Sequence, residues 1–189
     1  ERPNLDIDFV IEGDAIKFAQ ELAAIFGGEI SSFRPFGTAK WKLDRGRIAY
    51  ALHLDAEPLP ETIDFATSRN EFYEHPTALP SVYTSSIKLD LQRRDFTINT
   101  LAVQMSPYAA AYRLLDFYGG VRDLREGNIR VLHSLSFVDD PTRVLRAVRF
   151  EHRLDFEIEA RTAELITASR PMLRRITGQR LRDELDRLL

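Results

Sequence analysis

The sequence contains no cysteine, and this absence limits both its covalent chemistry and its location. Disulfide bonds and thiolate metal sites are excluded, and a reducing compartment is favoured, so we expect a cytoplasmic protein. No apolar run approaches the length that spans a bilayer, and no signal peptide opens the chain. We therefore expect no membrane partner.

What the chain does contain is typical of a folded globular protein. Of its 189 residues, 44% are hydrophobic and 29% are charged, which allows one core or a core with a smaller appended domain. The net charge of -3 gives no sign of nucleic-acid binding, but the arginines crowd into residues 122–187. Because the planar guanidinium suits phosphates and base edges, a basic face is compatible with the acidic total.

Hydrophobic periodicity predicts a mixed sheet with one packed helix in the first third of the chain. Alternation indicates a strand over 5–11, and Gly13-Asp14 begins a predicted helix over 14–26. Residues 68–85 contain two prolines and little periodicity, so we expect a long functional loop there. Turn residues separate further predicted strands at 29–34, 38–43, 48–54 and 62–66.

The remainder of the chain has a mainly helical pattern. Strands are predicted only at 112–117 and near 129–132, and the last fifty residues are predicted to be entirely helical. These patterns predict an α+β domain over residues 1–124 and a helical domain over residues 125–189.

Two aspartates, Asp6 and Asp8, interrupt the first predicted strand. Alternation places both on one face, about 7 Å apart, where a cation between them would reduce their repulsion. Mg²⁺ accepts a few carboxylates and leaves positions open for water and phosphate oxygens. A bare Asp-x-Asp is also compatible with a solvated edge strand. Asp64, in another predicted strand, is a candidate third ligand of a site that activates a hydroxyl and stabilises pyrophosphate.

The segment 93-RRDFTINTLAV-103 combines basic and polar residues with an apolar pattern. One interpretation is a capped helix start with solvated arginines. In the other, Arg94 faces a triphosphate, and Asp95 or Asn99 bonds to a ribose hydroxyl.

The segment 139-DDPTRVLRAVRFEHRL-154 begins with an Asp-Pro helix start. Helical spacing puts Arg143 and Arg146 on one predicted face together with Ala147 and Phe150, and it puts Val144, Leu145 and Val148 on another. A solvated charged face is one interpretation. A base reader is the other, because an aspartate accepts from an exocyclic amine while an arginine donates to the adjacent ring acceptor. Adenine and cytosine satisfy such a pair, whereas guanine and uracil present a carbonyl to the carboxylate. Asp140 with Arg143 would then admit ATP and CTP and reject GTP and UTP.

Five motifs in order resemble those of the class II tRNA nucleotidyltransferases. This family contains the CCA-adding enzymes and their A-adding, CC-adding and bacterial poly(A) polymerase relatives. The resemblance covers essentially the whole chain and is carried by 6-DIDFVIEG-13, 93-RRDFTINTLA-102, 116-DFYGGVRDL-124, 139-DDPTRVLRAVRF-150 and 178-GQRLRDEL-185.

The resemblance implies an α+β fold, with a polymerase-β-like nucleotidyltransferase head followed by an all-helical neck. It implies template-independent addition of A, or of CCA, to the 3′ end of tRNA from ATP and possibly CTP, with Mg²⁺ as cofactor. Two alternatives stay open, a poly(A) polymerase of the same family and a non-catalytic RNA-binding fragment. The oligomeric state is left open as well.

The resemblance also implies a role for each motif. Three carboxylates match the catalytic positions, the first two as metal ligands: Asp6, Asp8 and Asp64. Six residues match the nucleotide-binding positions: Arg94, Asp95, Asn99, Asp140, Arg143 and Arg146. Five match positions that support the hinge and the base-reading helix: Asp116, Gly119, Gly120, Arg180 and Glu184.

The sequence departs from the family pattern in three places. The base-reading motif begins with Asp139 where the family has Glu. The phosphate-binding turn that precedes Asp6 in the family is missing, so we expect an N-terminally truncated head. Residues 51–60 form a longer connection than usual. The full length of the segment 68–85 favours A-adding or CCA-adding activity over CC addition.

Overall fold

A computed structural model of the chain describes residues 7–55, 59–72, 81–107, 109 and 111–187. The chain divides into two compact units. The first is formed by Glu1–Asn70 with Val82–Asp90, and the second by Glu71–Ser81 with Leu91–Leu189. The predicted domain boundary at residue 124 falls within the second unit, and the division into functional domains stays a prediction.

The first unit is built on a four-stranded mixed sheet with strand order β1-β4-β3-β2. Strand β1 runs parallel to β4, and the other two pairs are antiparallel. The mixed sheet predicted from the sequence is thereby confirmed. In chain order the elements are β1 (Asp8–Ile11), α1 (Ala15–Phe26), β2 (Glu29–Phe33), β3 (Thr38–Lys42), α2 (Arg45–Leu52) and β4 (Thr62–Thr67).

Helix α1 covers one face of this sheet, as predicted. The Asp14 side chain caps the helix by accepting a hydrogen bond from the Lys17 backbone N–H at 3.0 Å. Its fully buried Ala19 lets the helix lie close to Trp41 and Phe65 in the core. Because α1 takes up this face, polar side chains of the strands point to the other one.

The strand predicted at 48–54 is wrong, because this part of the chain belongs to helix α2. The Asp44 carboxylate accepts from the Arg47 backbone N–H at 3.0 Å and caps the helix. Ile48 and Ala49 are its buried residues. A short apolar run does not by itself distinguish a strand from a helix, so the capping residue decides.

The predicted loop over 68–85 is wrong at both ends. Strands β5 (Arg69–Phe72) and β6 (Ser81–Thr84) pair as a two-stranded sheet, and helix α3 (Ile87–Gln92) follows. Residues 73–80, the centre of the predicted loop, lie outside the described residues.

The second unit is mainly helical with short strands. The strands predicted at 112–117 and near 129–132 correspond to β8 and to the shorter β9, whereas β7 was not predicted and β10 contradicts the all-helical end. Its elements are β7 (Ala102–Gln104), β8 (Arg113–Leu115), α4 (Gly120–Glu126), β9 (Asn128–Ile129), α5 (Ser136–Asp139), α6 (Thr142–Leu154), β10 (Glu157–Ile158), α7 (Ala160–Ser169) and α8 (Gly178–Leu185), with 3₁₀ turns at Thr97–Asn99 and Arg170–Arg175.

The core of the second unit contains Phe96, Ile129, Phe137 and Ala147, each fully buried. In the described part of the chain, no helix is both long enough and apolar enough to cross a membrane.

Candidate active site

Asp8, Asp64 and Lys40 form a row across the sheet face opposite α1. Asp8 on β1 is in register with Asp64 on β4, which is in register with Lys40 on β3. In-register residues of adjacent strands point to one face and lie about 4.8 Å apart. The next residues along the two acidic strands, Phe9 and Phe65, stack at 5.4 Å on the opposite, core side. Register thus brings two of the three predicted carboxylates side by side.

The donor chemistry of this row fits a divalent cation. Carboxylate oxygens are the hard ligands that Mg²⁺ prefers. Lys40 Nζ lies 2.9 Å from Asp64 Oδ2, so Asp64 already attracts one positively charged group, the Lys40 ammonium. Among the described residues, no group of three or more His, Cys, Asp or Glu side chains could hold a metal ion. The predicted partner Asp6 lies outside those residues.

Asp95 organises the segment predicted to handle ribose and triphosphate. Its Oδ1 accepts from Phe96 N at 2.9 Å and from Asn99 Nδ2 at 2.8 Å. Its Oδ2 accepts from Arg146 Nε at 2.7 Å and also from Nη2 of the same guanidinium. The neighbouring Arg94 donates through Nη1 to the Asn99 carbonyl at 3.5 Å. Asp95, Asn99 and Arg146 therefore form one hydrogen-bonded cluster.

Arg143 is buried, with only 7% of its surface exposed. Nη1 donates to Ser136 Oγ at 2.7 Å, and Nη2 donates to the Arg93 carbonyl at 2.6 Å. Both acceptors are neutral, whereas a buried charge is normally paired with an opposite one. Arg143 therefore does not lie on a solvated charged face, and Val144 and Ala147 are buried with it. A buried guanidinium on neutral acceptors keeps donors for an electron-rich group of a ligand.

Asp140 lies one turn before Arg143 and is held from two sides. Its Oδ1 accepts from Thr142 N at 3.1 Å and from Thr142 Oγ1 at 2.7 Å. Arg180 Nη2 lies 2.9 Å from both carboxylate oxygens. The orientation of Asp140 is therefore set by the start of α6 and by a side chain of α8.

A second carboxylate, Glu184, joins α8 to α6. It is buried, and its Oε2 accepts from Arg149 Nη1 at 2.8 Å. Burial lowers the pKa of the Arg149 guanidinium below its usual range, and the charge of Glu184 opposes this effect. Arg146 Nη1 lies 3.9 Å from Glu184 Oε1, so the same carboxylate also borders the Asp95 cluster.

The residues predicted to form a hinge start helix α4. Asp116 accepts from Gly120 N at 2.7 Å through Oδ1 and from Val121 N at 3.1 Å through Oδ2. Gly119 has φ +77°, which disfavours any residue with a side chain. A Cβ on Gly120 would overlap the Thr97 carbonyl oxygen, so glycine lets α4 pack on the Thr97–Asn99 turn. A hinge role stays a prediction.

Comparison with known protein families shows which family has these motifs. The model of the poly(A) polymerase head domain matches residues 1–130. The chain belongs to that family. A second model, described as the probable RNA and SrmB-binding site of polymerase A, matches residues 155–189 of this poly(A) polymerase family member.

Individual relatives confirm the resemblance to tRNA nucleotidyltransferases. The chain is 46% identical over 184 residues to the A-adding tRNA nucleotidyltransferase of Geobacter sulfurreducens, which covers 96% of the chain and 19% of that protein. It is 43% identical over 171 residues to the A-adding enzyme of Halalkalibacterium halodurans, which covers 90% of the chain and 36% of that protein. The chain thus spans well under half the length of these relatives.

Solved structures agree in fold with this family member. An apo form of a CCA-adding enzyme has a TM-score of 0.85 and 46% identity, over 98% of this chain and 41% of that one. The Thermotoga maritima CCA-adding enzyme in complex with tRNA has a TM-score of 0.77 and 44% identity, over 98% of this chain and 38% of that one. A CCA-adding enzyme in complex with ATP has a TM-score of 0.79 and 45% identity, over the same shares.

Sequence reasoning missed Asp123, a fully buried acid in the segment 116-DFYGGVRDL-124 of this family member. Asp123 Oδ2 accepts from Thr97 Oγ1 at 2.7 Å, and Arg130 Nε lies 3.1 and 3.0 Å from its two oxygens. Arg130 Nη1 continues the network to Glu159 at 3.2 Å. Lys40 and Ser136 were also missed, because only strand register and chain folding bring them to Asp64 and Arg143.

His133 gives the fold a predictable dependence on pH. Burial lowers the pKa of its imidazole, Asp139 raises it, and the Arg143 guanidinium lowers it further, leaving the pKa below the usual value. As pH falls, the unfolded chain, with a His pKa of about 6.5, therefore takes up a proton at a higher pH than the folded chain does. This contribution to stability is present above the unfolded pKa and is lost as pH falls through the folded pKa.

We therefore expect His133→Gln to reduce the loss of unfolding free energy on going from neutral to mildly acidic pH. Urea unfolding over that range measures this slope. His152→Gln, on the exposed side of α6, is the matched control and should leave the slope as in the wild type. An unchanged slope in His133→Gln would contradict the assignment.

Proposed function

We propose that this chain is the nucleotidyl-transferring part of a cytoplasmic A-adding tRNA nucleotidyltransferase. The observation that carries the proposal is the in-register pair of Asp8 and Asp64, in a chain that belongs to the poly(A) polymerase head-domain family. The substrate class follows from the relatives named as A-adding enzymes and from the solved complexes of similar enzymes with tRNA and with ATP.

The proposed reaction is an in-line displacement at phosphorus. The tRNA 3′ oxygen loses its proton to water and forms a bond to the α-phosphorus of ATP, while the bond to the β-phosphate bridging oxygen breaks and pyrophosphate leaves. Asp8 and Asp64, with Asp6 as the predicted third carboxylate, would hold Mg²⁺. When bound, this ion supplies activation of the 3′ hydroxyl and neutralisation of the pyrophosphate charge.

Nucleotide selection is proposed for Asp140 and Arg143. A carboxylate only accepts hydrogen bonds and a guanidinium only donates them, so together they require an amine beside an acceptor on the base edge. Adenine has this arrangement, and guanine places a carbonyl where Asp140 needs a donor. Arg94, with the Asp95–Asn99–Arg146 cluster, is proposed to position the ribose and the triphosphate.

The experiment that tests the proposal compares three RNA acceptors. These are tRNA ending in CC, tRNA lacking CCA and an unrelated RNA, each offered ATP, CTP, GTP and UTP separately with Mg²⁺. We expect one AMP on tRNA ending in CC and no extension of the others. Addition of CCA to the second substrate would indicate a CCA-adding enzyme. Long tails on the unrelated RNA would indicate the poly(A) polymerase for which the family model is named.

We expect Asp140→Asn to relax nucleotide selection by roughly 10- to 100-fold, measured as the ratio of kcat/KM for ATP to that for GTP. The amide can donate as well as accept, so a carbonyl on the base no longer faces an unpaired carboxylate. Asp139→Asn is the matched control, because it removes the same charge one residue away and should keep the ratio. An unchanged ratio in Asp140→Asn would count against base reading by this side chain.

A further inference from the structure

Two separate hydrogen bonds anchor the Arg143 guanidinium. A base reader must present its guanidinium in one plane, yet an arginine side chain has several rotatable bonds. The two Nη atoms are each bound to a different oxygen, one from the Ser136 hydroxyl and one from the Arg93 main chain. Two anchors on one rigid fork fix its plane, whereas a single anchor leaves it free to turn.

Ser136 has no other evident reason to carry a hydroxyl at this position. It is fully buried at the start of α5, where an alanine would fill nearly the same space. Its backbone N–H donates to the His133 carbonyl at 3.2 Å, so the turn forms without the side chain. The 2.7 Å bond from Arg143 is directed to the hydroxyl oxygen itself.

We propose that Ser136 is a positioning residue for nucleotide selection, which holds the Arg143 guanidinium in the orientation that reads the base. This inference rests on the proposed function, in which Arg143 contacts the base. Ser136 itself is proposed to touch neither the nucleotide nor the RNA.

His133 provides a test of positioning that needs no catalysis. The charge of Arg143 is one of the influences that lower the pKa of this imidazole, after burial. In Ser136→Ala we expect the guanidinium to lose its fixed position and the pKa of His133 to rise. The variant Ser136→Cys is close to serine in shape but replaces the hydroxyl with a larger and weaker acceptor, and we expect it to raise the pKa of His133 as well. It serves in place of Ser136→Ala if that variant fails to fold.

The experiment is an NMR titration of the His133 ring protons in the full chain, with His133→Gln identifying the signal. Ser169→Ala, which changes another buried serine of the same unit, is the matched control and should leave this pKa unchanged. An unchanged His133 pKa in both Ser136 variants would overturn the proposal, whether or not the chain transfers nucleotides.

The second measurement is the ratio of kcat/KM for ATP to that for GTP. We expect it to fall roughly tenfold in Ser136→Ala, as for a lost hydrogen bond to a charged group. A normal ratio together with a shifted His133 pKa would overturn the specificity role. If the wild-type chain with tRNA ending in CC transfers no nucleotide, the proposed function fails instead, and the titration still decides whether Ser136 positions Arg143.

Discussion

Asp8→Asn is expected to lower nucleotide transfer by roughly a thousandfold or more, because it removes the charge of one of the three carboxylates proposed to hold Mg²⁺. The amide has nearly the shape of the carboxylate, so packing on β1 is retained. Two adjacent carboxylates repel each other, so the free energy of unfolding should stay level or rise slightly. Single-turnover transfer of AMP to tRNA ending in CC, with urea unfolding in parallel, measures both effects.

Glu21→Gln is the matched control for this variant. It neutralises one exposed acid on α1, paired with Lys17 at 3.9 Å, and leaves the sheet face unchanged. We expect normal transfer. If Asp8→Asn transferred AMP at a rate close to wild type, the metal assignment would be untenable. If it lost activity only by unfolding, the urea curve would show this as a lowered midpoint.

The second large effect concerns Asp123. We expect Asp123→Ala to lower the free energy of unfolding by about 2–4 kcal/mol, because the change removes a fully buried carboxylate that accepts from the partly exposed Arg130 and from Thr97. Arg130 would lose one of its two acids and keep Glu159, and Thr97 would lose the acceptor of its hydroxyl. Urea unfolding followed by circular dichroism measures the loss.

Two further variants show whether the ion pair is responsible. Asp183→Ala changes an exposed acid on α8 and should cost well under 1 kcal/mol, as surface substitutions do. In a double-mutant cycle, Arg130→Met should cost much less in the Asp123→Ala background than alone. Additive effects of the two changes would show that the pair does not couple, and the predicted cause would then be wrong.

Most of the first unit was predictable because its signals are local. The alternation in β1 and the cap at Asp14 each act within a few residues, and both were confirmed. The prediction of a strand in the α2 region was wrong because a short apolar run is compatible with a strand or a helix. Only the Asp44 cap favours the helix. Strands β5 and β6 were not predicted because neither segment has enough hydrophobic alternation to indicate a strand without its partner.

Part of the candidate site was likewise predictable from the sequence, and part was not. Motif order was enough to nominate Asp8, Asp140 and Arg143, and a strand-like pattern nominated Asp64, because spacing and residue type can be read along the chain. The contacts and burial of these side chains could not be predicted from the sequence. Lys40 meets Asp64 through strand register, and the burial of Arg143 follows from the packing of α6.

The sequence by itself determined the family and the mixed sheet with its packed helix. These follow from residue types at short spacing, which local backbone geometry converts directly into structure. Only the tertiary structure decided that Asp8 lies beside Asp64, that Arg180 holds Asp140 and that Ser136 holds Arg143. Each of these contacts joins separate elements, and a buried polar group finds its partner only when the packing of those elements brings it within hydrogen-bond distance.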